Sequence, residues 1–133
     1  MKATLQSGIS ATRGFAIDAA RTIDFMGEEA RVYATPMLVR DIEVTCRDLL
    51  LEHLDPGEDS VGTRVEIDHL AASLLGMKVT ITATLSELKG RGAVFDIVAT
   101  DGVDTICRGR HARFIVNIDQ VKARLRQKQA KVA

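Results

Sequence analysis

Three residues break the pattern around them, and each can do chemistry. Glu43 shares a line with Val39, Cys46 and Leu50, spaced i, i+4, i+7 and i+11 along a helix. The other three are apolar. A carboxylate there sits either at the margin of the core, reaching water, or inside it, where desolvation would raise its pKa unless a partner compensates. Spacing alone favours the margin. His69 closes the apolar face of the 61–69 segment beside Ile67. Its ordinary role would be a core histidine bonded to backbone. Histidine is also the side chain best suited to moving protons near neutral pH, and one facing a helix carboxylate would be oriented as a base. Thr35 precedes Pro36, which suits a helix N-cap followed by proline at the first helical position. By default its hydroxyl would cap the backbone. The same place favours negative charge, so an oxyanion or a carbonyl oxygen would also suit it.

The remaining candidates are weaker. His111 and Arg113 share a face of the last strand with Cys107 and Gly109. Charges at alternate positions read as a solvated face, with Arg113 kept as a contact for a phosphate or an acyl carbonyl. His53, near the end of the helix, reads as a C-terminal cation rather than a ligand. Cys46 and Cys107 stand far apart, without metal-site spacing, and read as small buried apolar residues. No metal ligand set is expected. GxGxxG, GxxxxGK[ST], GxSxG and CxxC are all absent, so any catalysis rests on a few dispersed residues.

The elements that must position these residues follow from periodicity. Leu38, Ile42, Cys46, Leu49, Leu50 and Leu54 give helical spacing from Thr35 up to the breaker Asp55-Pro56-Gly57. After residue 60 the period becomes two. Val61, Thr63, Val65, Ile67 and His69 are expected on one face of a strand, with Gly62, Arg64, Glu66 and Asp68 on the other. Further strands are expected over 78–88, 93–100 and 103–118, separated by Gly76, by Gly90-Arg91-Gly92 and by Asp101-Gly102, a hairpin signature. A short strand over 9–16 and a helical turn over 18–26 complete the chain. Four consecutive strands with tight turns should pair antiparallel, and the apolar face of that sheet needs the helix as cover. The expected class is α+β: an antiparallel sheet wrapped on one long helix.

Composition bounds the function. With 133 residues, 46% hydrophobic and 27% charged, the chain suits a single globular domain over 1–133, without repeats or linker. Eighteen basic residues balance eighteen acidic ones, so no global field draws it to nucleic acid or membrane. The basic tail with Lys122, Arg124, Arg126, Lys128 and Lys131 lacks interleaved aromatic residues and reads as a solvated terminal helix. MKATLQSGIS holds no apolar run of about 7–15 residues, so no signal peptide is expected, and the location expected is the cytoplasm.

Residues 54–85 (LDPGEDSVGTRVEIDHLAASLLGMKVTITATL), 101–116 (DGVDTICRGRHARFIV) and 32–43 (VYATPMLVRDIE) resemble the hotdog-fold thioesterase superfamily, specifically its fluoroacetyl-CoA thioesterase-like group. The similarity runs over roughly residues 32–128. Thr35, Glu43, Gly62, His69 and Arg113 fall where that group's functional residues fall. The resemblance implies an acyl-CoA thioesterase acting on a small or short-chain acyl group, with coenzyme A as part of the substrate and no separate cofactor. It implies Thr35, Glu43 and His69 as the catalytic set and Gly62 and Arg113 as substrate contacts, with the Gly62 N–H supplied by the other subunit. It implies a homodimer, or a tetramer built from dimers, with active sites at the dimer interface. Compared with fluoroacetyl-selective members, the 22–34 segment TIDFMGEEARVYA is shorter and carries one phenylalanine, Phe25, where they carry a pair that forms a lid. Two other readings compete: a hydratase or dehydratase on the same fold, against which Thr35 ahead of Glu43 argues, and a non-catalytic acyl-CoA-binding module.

Overall fold

The computed structural model describes residues 1–132. A 17-residue helix α1 (Thr35–Leu51) lies against a five-stranded antiparallel sheet: β1 (Ser10–Ala16), β2 (Glu58–His69), β3 (Lys78–Lys89), β4 (Gly92–Thr100) and β5 (Thr105–Asn117). Leu38, Ile42, Cys46, Leu49 and Leu50 of α1 are buried against Val79, Ile81, Ala83 and Leu85 of β3, Phe95 and Ile97 of β4, and Ile115 of β5. Each fully buried leucine or isoleucine removes enough apolar surface from water to contribute about 2 kcal/mol. The last turn of α1 tightens at Leu51, with the His53 N–H donating to the Leu50 carbonyl at 2.8 Å. Cys46 and Cys107 are free thiols buried in this core, and burial pushes Cys46 up to about 12.

The first departure of the sheet from expectation is its strand order. Its order is β1-β3-β4-β5-β2, so β2 and β3, consecutive in sequence, are not neighbours. Residues 70–77 do not form a hairpin. They cross the N-terminal end of α1, where Ser73 accepts from the Tyr33 N–H at 2.9 Å, Leu74 bridges to Val32, and the Gly76 N–H donates to Ile17 at 2.8 Å. The connection therefore pairs with the N-terminal segments instead of folding back on itself. β3–β4 and β4–β5 are hairpins as expected.

A second departure concerns β2. Gly62 pairs with Arg113 and Arg64 with Ala112, leaving Thr63 as the surplus residue of a β-bulge. Directly paired residues of an antiparallel ladder share a face, and one extra residue reverses the alternation beyond it. Val65, Ile67 and His69 therefore face inward with His111, Gly109 and Cys107, whereas Val61 faces outward with Phe114. Gly62 faces inward, not outward with Arg64, Glu66 and Asp68.

The basic tail forms helix α2 (Ile118–Val132), of which no residue is buried. Among the described residues, no helix is long and apolar enough to cross a membrane.

Candidate active site

The first half of the site sits where α1 begins and β2 ends. Ala34, not Thr35, is the helix cap, and Thr35 is already the first helical residue. This corrects the expectation that its hydroxyl would cap the backbone: Oγ1 instead lies 2.7 Å from Nδ1 of His69. One position later in the turn, the side chain aims across at the end of β2 rather than back at its own N–H groups. His69 Nε2 is buried without a hydrogen-bond partner. Burial lowers the pKa of the ring, so it is neutral at pH 7. A neutral imidazole with one nitrogen on a hydroxyl and the other unengaged can exchange a proton at either side. A cleft of about 390 Å³ opens beside the pair, lined also by Ile23, Phe25, Val32 and Tyr33.

The second half lies further along α1. The Glu43 carboxylate, with a side chain 42% exposed, has Oε1 3.9 Å from Nη1 of Arg113 and 4.0 Å from Nε2 of His111. It faces Gly62 so closely that a Cβ there would collide with Oε1. A cleft of about 350 Å³ runs past Glu43, Gly62 and Arg113 to Arg40 and Arg47. The expected solvated face of β5 is in fact buried: His111 is fully enclosed and Arg113 nearly so. The reason is the position of β5 between β4 and β2, which turns this face under α1. Arg113 is tethered there, donating from Nε to Ser60 Oγ at 2.7 Å and from Nη2 to the Ser60 carbonyl at 2.9 Å. His111 Nδ1 lies 2.8 Å from the Arg64 carbonyl and so carries the proton, leaving Nε2 to accept from Arg113 Nη1 at 3.1 Å. Burial lowers the pKa of His111 and that of Arg113, with Glu43 opposing the shift in both.

Within one chain the structure brings Thr35 to His69, and Glu43 to Gly62 and Arg113. It does not bring the two sets together: eight residues of helix separate Thr35 from Glu43, about 12 Å along the axis. His111, expected on a solvated face, belongs to the Glu43 half, as does Ser60, which the sequence did not single out. Cys107 and Gly109 on the same register as His111 were the available signal of an inward face.

A third group lies behind Thr35. Asp41, 1% exposed, accepts from Arg21 Nε at 2.9 Å, from Arg21 Nη2 at 3.3 Å and from the Tyr33 hydroxyl at 2.6 Å. Burial and this carboxylate push the Tyr33 phenol strongly up. The Tyr33 ring stands edge-on to His69, centroids 6.3 Å apart and planes at 81°.

Comparison with known proteins agrees with this architecture. A family model described as fluoroacetyl-CoA-specific thioesterase matches residues 17–119. A fluoroacetyl-CoA thioesterase from Streptantibioticus cattleyicolor is 33% identical over 135 residues, covering 96% of this chain and 97% of that protein. A crystal structure of a mutant fluoroacetyl-CoA-specific thioesterase superposes with a TM-score of 0.87 at 32% identity, covering 96% of this chain and 99% of the other. A Thermus thermophilus thioesterase superfamily member superposes with a TM-score of 0.87 at 27% identity, covering 97% and 96%. The chain thus belongs to the fluoroacetyl-CoA-specific thioesterase family, a thioester hydrolase on the hotdog fold.

Proposed function

We propose that the protein is a homodimeric, cytoplasmic acyl-CoA thioesterase that converts a small or short-chain acyl-CoA to the free acid and CoA, with Thr35, Glu43 and His69 as its catalytic residues. The observation that carries the site is the pair of facing contacts: Thr35 on His69, and Glu43 against Gly62 and Arg113.

The two halves need a second chain to meet. β2 is an edge strand of the sheet and exposes Val61 (45%), beside Phe114 (45%) on the outer face, and Val65 (37%) on the inner face. An open apolar edge calls for a partner. Two copies of β2 pairing antiparallel about a two-fold near Val65 and Glu66 would set Gly62 of one chain level with His69 of the other. Glu43, which touches Gly62, would come with it. Each of the two sites would then combine Thr35 and His69 of one subunit with Glu43 and the Gly62 N–H of the other.

Thioester hydrolysis needs an electrophilic contact for the carbonyl oxygen, an attacking oxygen and a proton for the departing sulfur. The Gly62 N–H and the Thr35 hydroxyl supply the first. Glu43 supplies the second, along one of two routes. Its carboxylate attacks the carbonyl carbon, expels the CoA thiolate and leaves a mixed anhydride that water opens. Alternatively it takes a proton from a water whose oxygen forms the new bond while the C–S bond breaks. His69, neutral through burial, takes up the proton that the reacting water releases and, as the transient imidazolium, passes it to the departing sulfur. Arg113 holds the Glu43 carboxylate in place, and no cofactor beyond the CoA of the substrate is involved.

The test is thiol release from a panel of acetyl-, fluoroacetyl-, propionyl- and butyryl-CoA with the wild type and Glu43→Gln. Turnover by the wild type that disappears in the variant supports the reading. No turnover of any acyl-CoA by the wild type would make the chain an acyl-CoA-binding module.

A further inference from the structure

The Arg21–Asp41–Tyr33 group plays no part in the reaction as written, yet its carboxylate and its phenol ring are both buried. A buried ion pair seldom stabilises a fold more than apolar side chains of the same volume would. What it does provide is fixed geometry, because one carboxylate receives three donors from two segments.

Those segments converge on His69. Tyr33 lies in a two-sided bridge: its N–H donates to Ser73 at 2.9 Å, and it pairs with Thr22 on the other side. The next residue, Ala34, donates to the Arg21 carbonyl at 2.8 Å, and Thr35 follows. Arg21 therefore holds the backbone leading into Thr35 with its carbonyl and holds Asp41 with its guanidinium. Asp41 then holds the phenol of Tyr33, whose ring forms the wall against His69. The imidazole itself has one hydrogen bond, to Thr35, and an unpartnered Nε2. A ring with a single hydrogen bond can swing about it; an aromatic edge at 81° stops that swing.

From this geometry we infer that Tyr33, fixed by the Arg21–Asp41 pair, is a positioning residue that sets the orientation of the His69 ring relative to the Thr35 hydroxyl. The inference rests on the assignment of Thr35 and His69 to the site. Asp41 acts through Tyr33, accepting its hydroxyl at 2.6 Å.

The experiment is a set of double-mutant cycles on the intact protein, with thiol release from the fastest acyl-CoA of the panel as readout. Tyr33→Phe keeps the ring and removes the hydrogen bond to Asp41. It should melt within a few degrees of the wild type, keep KM within about twofold and lower kcat about ten- to a hundredfold, as a small misplacement of a reacting group does. In a His69→Ala background it should lower the residual rate no further. A kcat within twofold of wild type in Tyr33→Phe, or the same proportional loss with and without His69, overturns the inference. Near-wild-type turnover in His69→Ala is a separate failure: it removes His69 from the site, and the inference falls with it. Asp41→Asn keeps the shape, replaces the charged acceptor of the Tyr33 hydroxyl with a weaker neutral one and guards against a Tyr33 variant that does not fold. It should show the same fall in kcat at constant KM, together with displaced ¹⁵N signals of the His69 ring. Unchanged rates and ring signals in Asp41→Asn would equally overturn it.

Discussion

The hydroxyl of Thr35 meets Nδ1 of His69 at 2.7 Å across a sequence separation of 34 residues, joining the first turn of the helix to the last residue of an edge strand. If that contact belongs to the reaction, Thr35→Ala and His69→Ala should each lower kcat by about a hundredfold or more, in the range removed with a proton-transfer partner. Both side chains lie at the rim of the core, so melting temperatures should change by only a few degrees. Rates near wild type in both variants would assign the pair to structure alone.

Glu43→Gln preserves the volume of the side chain but can neither take a proton nor attack a carbonyl. The fall in turnover should be about a hundredfold or more, with thermal melting unchanged within a few degrees. A carboxylate that merely balanced Arg113 would give the opposite split, with lower stability and preserved turnover.

Gly62→Ala sets a methyl group against the Glu43 carboxylate. The carboxylate must swing away or the strand must shift, at a cost of about 1–3 kcal/mol. Turnover should fall with it. A fully active and equally stable Gly62→Ala protein would show that Glu43 does not need its present position.

Light scattering after size exclusion should find a dimer or larger and no stable monomer at micromolar concentration, given the open β2 edge. Specific activity should fall on dilution through the dissociation range. A folded monomer with full activity would contradict a site shared between chains.

His111 is held below its ordinary pKa of about 6.5 in the folded chain and titrates near that value when unfolded. The unfolded state therefore binds protons first as the pH falls. Stability from burying the neutral ring is complete above about 6.5 and is lost progressively toward the lower folded pKa. The melting temperature should drop between about pH 7 and 5, and His111→Gln should flatten that slope. A wild-type melting temperature that stays flat through this window would argue against a neutral, buried His111.

Phe25 is 77% exposed at the mouth of the Thr35–His69 cleft, and no second phenylalanine stands beside it in the 22–34 segment. An apolar pocket separates groups differing by one small substituent by about 1–3 kcal/mol. Fluoroacetyl-CoA and acetyl-CoA should accordingly differ in kcat/KM by far less than a thousandfold, with propionyl- and butyryl-CoA accepted too. A preference for fluoroacetyl-CoA of a thousandfold or more would refute this.

Much of the architecture was legible because the periods are clean. Leu38 to Leu50 announce a helix, and Val79, Ile81, Ala83 and Leu85 alternate without interruption. Glu43 and His69 were visible as exceptions to those periods. The pairing of β2 was not legible, since nothing local shows that residues 70–77 bond to segments near Tyr33 and Ile17 instead of turning back. Arg113 and His111 were misread for a related reason. A charged residue on a strand is ordinarily solvated, and only the placement of β5 between two others, with Ser60 at hand to accept from the guanidinium, makes its burial affordable.

Thr63 shows how narrowly β2 is constrained. The strand is read in one frame from Ser60 to Gly62 and in the other from Arg64 to His69, and both frames end with a site residue turned inward. Losing Thr63 would straighten the ladder without overturning either end, because Gly62 would still oppose Arg113 and Arg64 would still oppose Ala112. Sliding the slip toward His69 would be another matter. Arg64 and Glu66 would rotate beneath the helix while Val65 and Ile67 rotated into water, an exchange that desolvation forbids. The frame shift is therefore pinned by the charges on its far side, and a length change of one residue at this point should be tolerated where a swap of Glu66 with Ile67 would not.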